Sequence, residues 1–132
     1  MAEPLPPLVT RLTAELGYPM IDPATASLPA ETGGEWLIFL PGHGQKHLET
    51  ADIAIILPEL LAAFRGRLKA AVADAALEKS LRQQLDGIPL PALVVVRGHE
   101  LLGAIPRVLD WHEYLDTITT MIDGKPAAAV LQ

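Results

Sequence analysis

Gly87-Ile88-Pro89-Leu90-Pro91-Ala92-Leu93-Val94-Val95-Val96-Arg97-Gly98-His99-Glu100-Leu101 is the stretch that decides the fold. Gly87 and the two prolines break any helix arriving from upstream. Residues 92–96, rich in Val and Leu, then read as a strand. The turn residues 97–100 fold the chain back into a second strand over 101–105, so this part of the chain is a hairpin.

Upstream of the hairpin the pattern alternates. Leu5, Leu8, Val9, Leu12 and Leu16 stand at helical spacing, with Pro6 and Pro7 suited to a first turn and Gly17 to a stop. A short strand is expected near 18–21 and a short helix around 24–28. The apolar run Trp36-Leu37-Ile38-Phe39-Leu40, ended by Pro41-Gly42, reads as a strand buried on both faces. Ile53, Ile56, Leu57, Leu60, Leu61 and Phe64 predict a helix stopping near Gly66, with Pro58 expected to kink it. A strand over 68–73 and a helix over 75–85 follow. Downstream of the hairpin, Asp110 and Glu113 have the spacing of a capping box, and Trp111, Leu115, Ile118 and Ile122 give the last helix its apolar face. The order α-β-(α)-β-α-β-α-β-β-α predicts a mixed sheet sandwiched by helices. One domain over 1–132 accommodates all of it, with an N-terminal helix in 1–17 and a flexible tail over 125–132.

Composition narrows the chemistry. Half of the residues are apolar and 20% are charged, the pattern of a folded domain. A formal charge of -6 disfavours general nucleic-acid binding, which needs a basic face. The chain has no cysteine, which excludes disulfides, thiolate metal sites and thiol catalysis together. No apolar run reaches the ~20 residues of a membrane span, and the first residues lack the basic and apolar regions of a signal peptide. The expectation is a cytoplasmic protein without membrane insertion. Gly42-His43-Gly44 lacks the remainder of a phosphate loop and reads as a turn. Ser27 and Ser80 fall in a turn region and in mid-helix, no Ser, Thr or Cys elbow surrounds His43 and His47, and no catalytic residue or cofactor is assigned. Arg65, Arg67 and Lys69 form a basic cluster at a helix end, where the helix dipole accounts for them.

The stretch 87–98, together with Leu60-Leu61-Ala62-Ala63-Phe64-Arg65-Gly66-Arg67-Leu68 and the strand ending at Asp74, resembles the C-terminal part of a thioredoxin. That resemblance implies an α/β fold, a thioredoxin-like three-layer α/β/α sandwich with a mixed central sheet. It also implies that Pro91 is the cis-proline facing the active site, and that the redox pair falls on His47-Leu48-Glu49-Thr50. The acid that thioredoxins bury under the disulfide would belong in 36–42, where nothing is ionisable, so nucleophile and proton acceptor are both missing. Over nearly its full length the chain resembles the hydrogenase expression/formation proteins of the HupG/HyaE family, thioredoxin-like proteins without the redox pair. The carrying features are the N-terminal amphipathic helix, the cysteine-free loop at 43–50, Leu60-Leu61-Ala62-Ala63-Phe64, the Pro91-Ala92 turn and the ending Pro126-Ala127-Ala128-Ala129.

This resemblance implies a redox-inactive, non-enzymatic chaperone in [NiFe]-hydrogenase maturation. It would bind the twin-arginine signal peptide of the small-subunit precursor before export. Further hydrogenase maturation proteins are also expected as partners, and a homodimer is compatible with the family. A receptor for paired arginines beside an apolar segment needs carboxylates for the guanidinium groups and an apolar groove next to them. Glu49, Asp52 and Glu59 are the candidate carboxylates, and Leu48, Leu90 and Pro91 the candidate groove. Two alternatives stand beside this reading. One is a thioredoxin-like module for a different protein client. The other is a metal-binding protein using His43 and His47, four residues apart, although these read first as polar residues of an exposed loop.

Overall fold

Alternation along β2 (Glu35–Leu40) determines how the layers assemble. Successive side chains of a strand point to opposite faces. Leu37 and Phe39 accordingly enter one core with Val9, Leu12, Ile53, Leu57, Leu60, Tyr114 and Ile118. Trp36, Ile38 and Leu40 enter a second core with Ile21, Ala73, Leu77, Val94 and Val96. A strand apolar on both faces must be covered on both, and the helices divide between them. The computed structural model describes residues 5–43 and 49–123.

In chain order the elements are α1 (Pro7–Ala14), β1 (Met20–Ile21), α2 (Leu28–Thr32), β2, α3 (Thr50–Ala63), β3 (Leu68–Ala73), α4 (Ala75–Gln84), β4 (Ala92–Arg97), β5 (Glu100–Ile105) and α5 (Trp111–Asp123). The sheet order is β1-β3-β2-β4-β5. β1 and β2 both run parallel to β3, while β4 is antiparallel to β2 and β5 to β4. α1, α3 and α5 supply the first core, and α2 and α4 the second. This is the expected three-layer sandwich with a mixed sheet, and the Leu90–Pro91 peptide bond is cis.

Several boundaries differ from the sequence reading. The short helix lies at Leu28–Thr32 instead of 24–28, because Asp22 and Thr25 bond each other side chain to backbone and hold 22–25 as a turn. α1 is shorter than 4–16, and Leu16 beyond it is exposed. α3 runs unbroken through Pro58 and begins three residues before Ile53. At α5 the expected box forms in one direction, the Asp110 N–H reaching Glu113 Oε1 at 3.4 Å. The tail from 124 onward lies outside the described residues.

Contacts across the sheet engage two residues of the basic cluster, Arg67 and Lys69. Arg67 bonds Glu35 at 3.1 Å and Asp123 at 2.9 Å, and Arg97 bonds the other oxygen of Glu35 at 3.1 Å. Lys69 stands 5.7 Å from the centre of the Trp36 ring. Burial works to raise the Glu35 pKa, but the bonds from Arg67 and Arg97 outweigh it and hold the carboxyl below its ordinary 4.5. A depressed carboxyl stabilises the fold above its unfolded pKa, and that contribution is lost as pH falls through the folded value. The urea midpoint should therefore drop as pH is lowered from about 5 toward 3, by an amount worth up to about 1 kcal/mol from this site. Glu35→Gln should remove that part of the pH dependence; an identical acid profile in the variant would contradict the assignment.

Candidate functional site

The edge of the sheet where β2 and β3 end and β4 begins brings together segments distant in sequence. Leu40 pairs with Ala92, so the loop leaving β2 starts beside the cis Leu90–Pro91 bond. β3 ends in the same place at Ala73. Asp74 then caps α4, its carboxylate accepting from the Leu77 N–H at 2.8 Å.

One turn into α4 stands Glu78, 5% exposed. One of its carboxylate oxygens accepts the Gly42 N–H at 2.7 Å and the other accepts the His43 N–H at 2.8 Å. A buried carboxylate is tolerated only when such donors replace its water. The His43 ring lies along the same wall, Nε2 standing 2.7 Å from the Ala73 carbonyl. Since a carbonyl only accepts, Nε2 carries the hydrogen. On the far side, buried Thr50 donates its hydroxyl to the Pro41 carbonyl at 2.8 Å. Two side chains, Glu78 of α4 and Thr50 of α3, therefore grip residues 41–43, the His43 ring ties the segment to β3, and Gly42 has the positive φ, 91°, that glycine adopts without strain.

This corrects the expectation that no acid sits at this edge. The strand before the loop has none, as read, but α4 delivers Glu78 from another part of the chain. Its sequence signal is its position on the buried side of the helix, three residues before Leu81 and seven before Leu85. A charge there requires a buried partner. His43 is also not a free loop residue: it is half-buried and its Nε2 is engaged. His47 and Leu48 lie outside the described residues, and among the described residues no group of three His, Asp or Glu side chains could hold a metal ion.

The peptide-binding candidates separate into two groups. Glu49, immediately before α3, and Asp52, in its first turn, are exposed, and Glu49 makes no cap bond with its side chain. Their charges reach α5: the pKa of the Tyr114 hydroxyl is raised first by burial and then by Glu49 and Asp52. Glu59 is exposed about 10 Å further along the helix than Asp52. Leu90 instead packs, half-buried, against the second core, and Pro91 is buried. The candidates thus differ in exposure: the three carboxylates are open to solvent, Leu90 is half-buried and Pro91 is buried. Missed in the sequence reading was Trp111, assigned there to the apolar face of α5 but 39% exposed beside α3.

No helix among the described residues is long and apolar enough to cross a membrane. Residues 8–114 match the family model of hydrogenase-1 expression protein HyaE. The hydrogenase expression/formation protein HoxO of Azotobacter vinelandii is 38% identical over 119 residues, covering 90% of this chain and 80% of HoxO. The crystal structure of the hydrogenase expression/formation protein HupG from Rhodopseudomonas palustris aligns with a TM-score of 0.54 at 36% identity, over 80% of this chain and 96% of HupG. Oxidized mitochondrial thioredoxin 3 of Saccharomyces cerevisiae aligns with a TM-score of 0.55 at 11% identity, over 68% of this chain and 83% of the thioredoxin, a likeness of fold.

Proposed function

The chain belongs to the HyaE/HupG family of hydrogenase expression/formation proteins, and from that membership we propose that it is a non-catalytic chaperone that holds the [NiFe]-hydrogenase small-subunit precursor by its twin-arginine signal peptide, in the cytoplasm, before export. The observation that carries the proposal is the state of the thioredoxin working edge. The chain has no cysteine to form a redox pair, and the buried carboxylate at this edge, Glu78, already has both oxygens bonded to backbone N–H groups. A thiolate is the nucleophile of thiol–disulfide exchange, so such an edge supports holding a client and not oxidising it.

Exposed carboxylates at the mouth of this edge suit the client's chemistry. Glu49 and Asp52 sit at the N-terminus of α3, where the helix dipole favours negative charge, and both are open to solvent. A guanidinium bonds a carboxylate through two parallel N–H groups, and paired arginines fit two neighbouring acids. The net charge of -6 adds steering toward a basic segment.

The test is a titration of a synthetic arginine-pair signal peptide into the wild type and into the double variant Glu49→Lys, Asp52→Lys. Each exposed charge pair is worth up to about 1 kcal/mol and reversal adds repulsion, so an affinity loss of about tenfold is expected. Equal affinity for both proteins would remove these two acids from the site.

A further inference from the structure

The exposed side of α3 is unusual for a helix in a protein of this size. Asp52, Ile55, Glu59, Ala62 and Ala63 fall on one side by the 3.6-residue period, and all are exposed, Ile55 by 50%. Along it the acids Asp52 and Glu59 stand among the apolar Ile55, Ala62 and Ala63. Here nothing among the described residues covers it. Trp111, at the start of α5, stands across from the second half of α3 and closes a shallow groove of about 460 Å³ with Glu59, Ala62 and Ala63. Among the described residues no lysine or arginine lines the groove, and its polar side chains are one acid and one indole.

We propose that this α3–α5 groove, and not the surface at Leu90 and Pro91, receives the client as an arginine-bearing apolar peptide segment. The inference rests on the signal-peptide reading and extends its site from Glu49 and Asp52 along α3. Apolar side chains of the segment pack on Ala62, Ala63 and the Trp111 ring, while a guanidinium pairs with Glu59 or Asp52. An exposed tryptophan beside a carboxylate suits such a ligand twice, through area buried and through attraction of the cation to the ring face. Leu90, in contrast, packs half-buried against the other core.

The experiment titrates the same synthetic signal peptide into full-length wild type, Trp111→Ala, Glu59→Lys and Leu90→Ala, with unfolding temperature checked for each. Trp111→Ala and Glu59→Lys should each weaken binding by about tenfold, Leu90→Ala by less than twofold, and tryptophan emission of the wild type should shift to the blue on binding. Binding that Trp111→Ala and Glu59→Lys leave unchanged overturns this inference and leaves the signal-peptide reading standing. No binding of the peptide to wild type overturns both. A concentration-dependent dimer that Trp111→Ala dissolves assigns the groove to a second copy of the chain and overturns it as well.

Discussion

Replacing Glu78 with alanine should lower the unfolding free energy by about 3 kcal/mol and the unfolding temperature by about 10 °C. The carboxylate accepts the Gly42 and His43 N–H groups, at 2.7 and 2.8 Å. Bonds to a charged acceptor are stronger than neutral ones, and a buried donor left without a partner costs about 1–3 kcal/mol. Glu78→Gln should fall between the two, since an amide offers one oxygen and turns a competing donor toward the second N–H. Hydrogen exchange at Gly42 and His43 should accelerate in the alanine variant while β4 stays protected. If the midpoint and those two amides were unaffected, Glu78 would not be the clamp described. Loosening of 41–43 should also disturb the start of α3, because Thr50 holds the same loop through the Pro41 carbonyl.

Tyr114→Ala should cost about 4 kcal/mol, the range seen when a large buried aromatic is truncated. Tyr114 is fully buried between α5 and the first core, and its removal leaves a cavity that a packed interior fills only in part. Domains of this size have about 5–15 kcal/mol in total, so the variant should be near the edge of folding at 37 °C. Tyr114→Phe should cost little at pH 7, because the hydroxyl's bond to the Arg107 carbonyl is long, at 3.5 Å. It should differ at high pH. Burial raises the Tyr114 pKa above its ordinary 10, and a raised pKa means stability is lost as pH rises past the unfolded value. The phenylalanine variant should therefore lose less stability than wild type between pH 9 and 11. Parallel alkaline profiles in urea titrations would refute that attribution.

Much of the fold was legible because apolar pattern and breakers agreed. The aliphatic run 92–96 closed by a Gly-containing turn gave the hairpin, and 36–40 gave the doubly buried central strand. Local chemistry misled where it competed: Asp22 and Thr25 satisfy one another in a turn, so the helix begins at Leu28 instead of earlier. The site was legible only in its local parts. Glu49 and Asp52 are exposed as a polar helix start implies, but the grip on residues 41–43 links positions 36 apart, Gly42 and Glu78, and no periodicity reports such a pairing. The same holds for Trp111, whose helical spacing announces a core residue although the neighbouring helix leaves it half-covered. Two of the basic residues near Gly66, Arg67 and Lys69, find their role through Glu35, Asp123 and the Trp36 ring, all contributed by other strands and helices.

The account centres on a protein that recognises its client by the signal peptide, and one measurement tests this most directly. Tagged protein is mixed with hydrogenase small-subunit precursor, with and without its signal peptide, and the amount co-purified is compared. The account predicts recovery of the complete precursor and loss of at least nine-tenths of it when the signal peptide is removed. Equal recovery of both forms, or of neither, would contradict it.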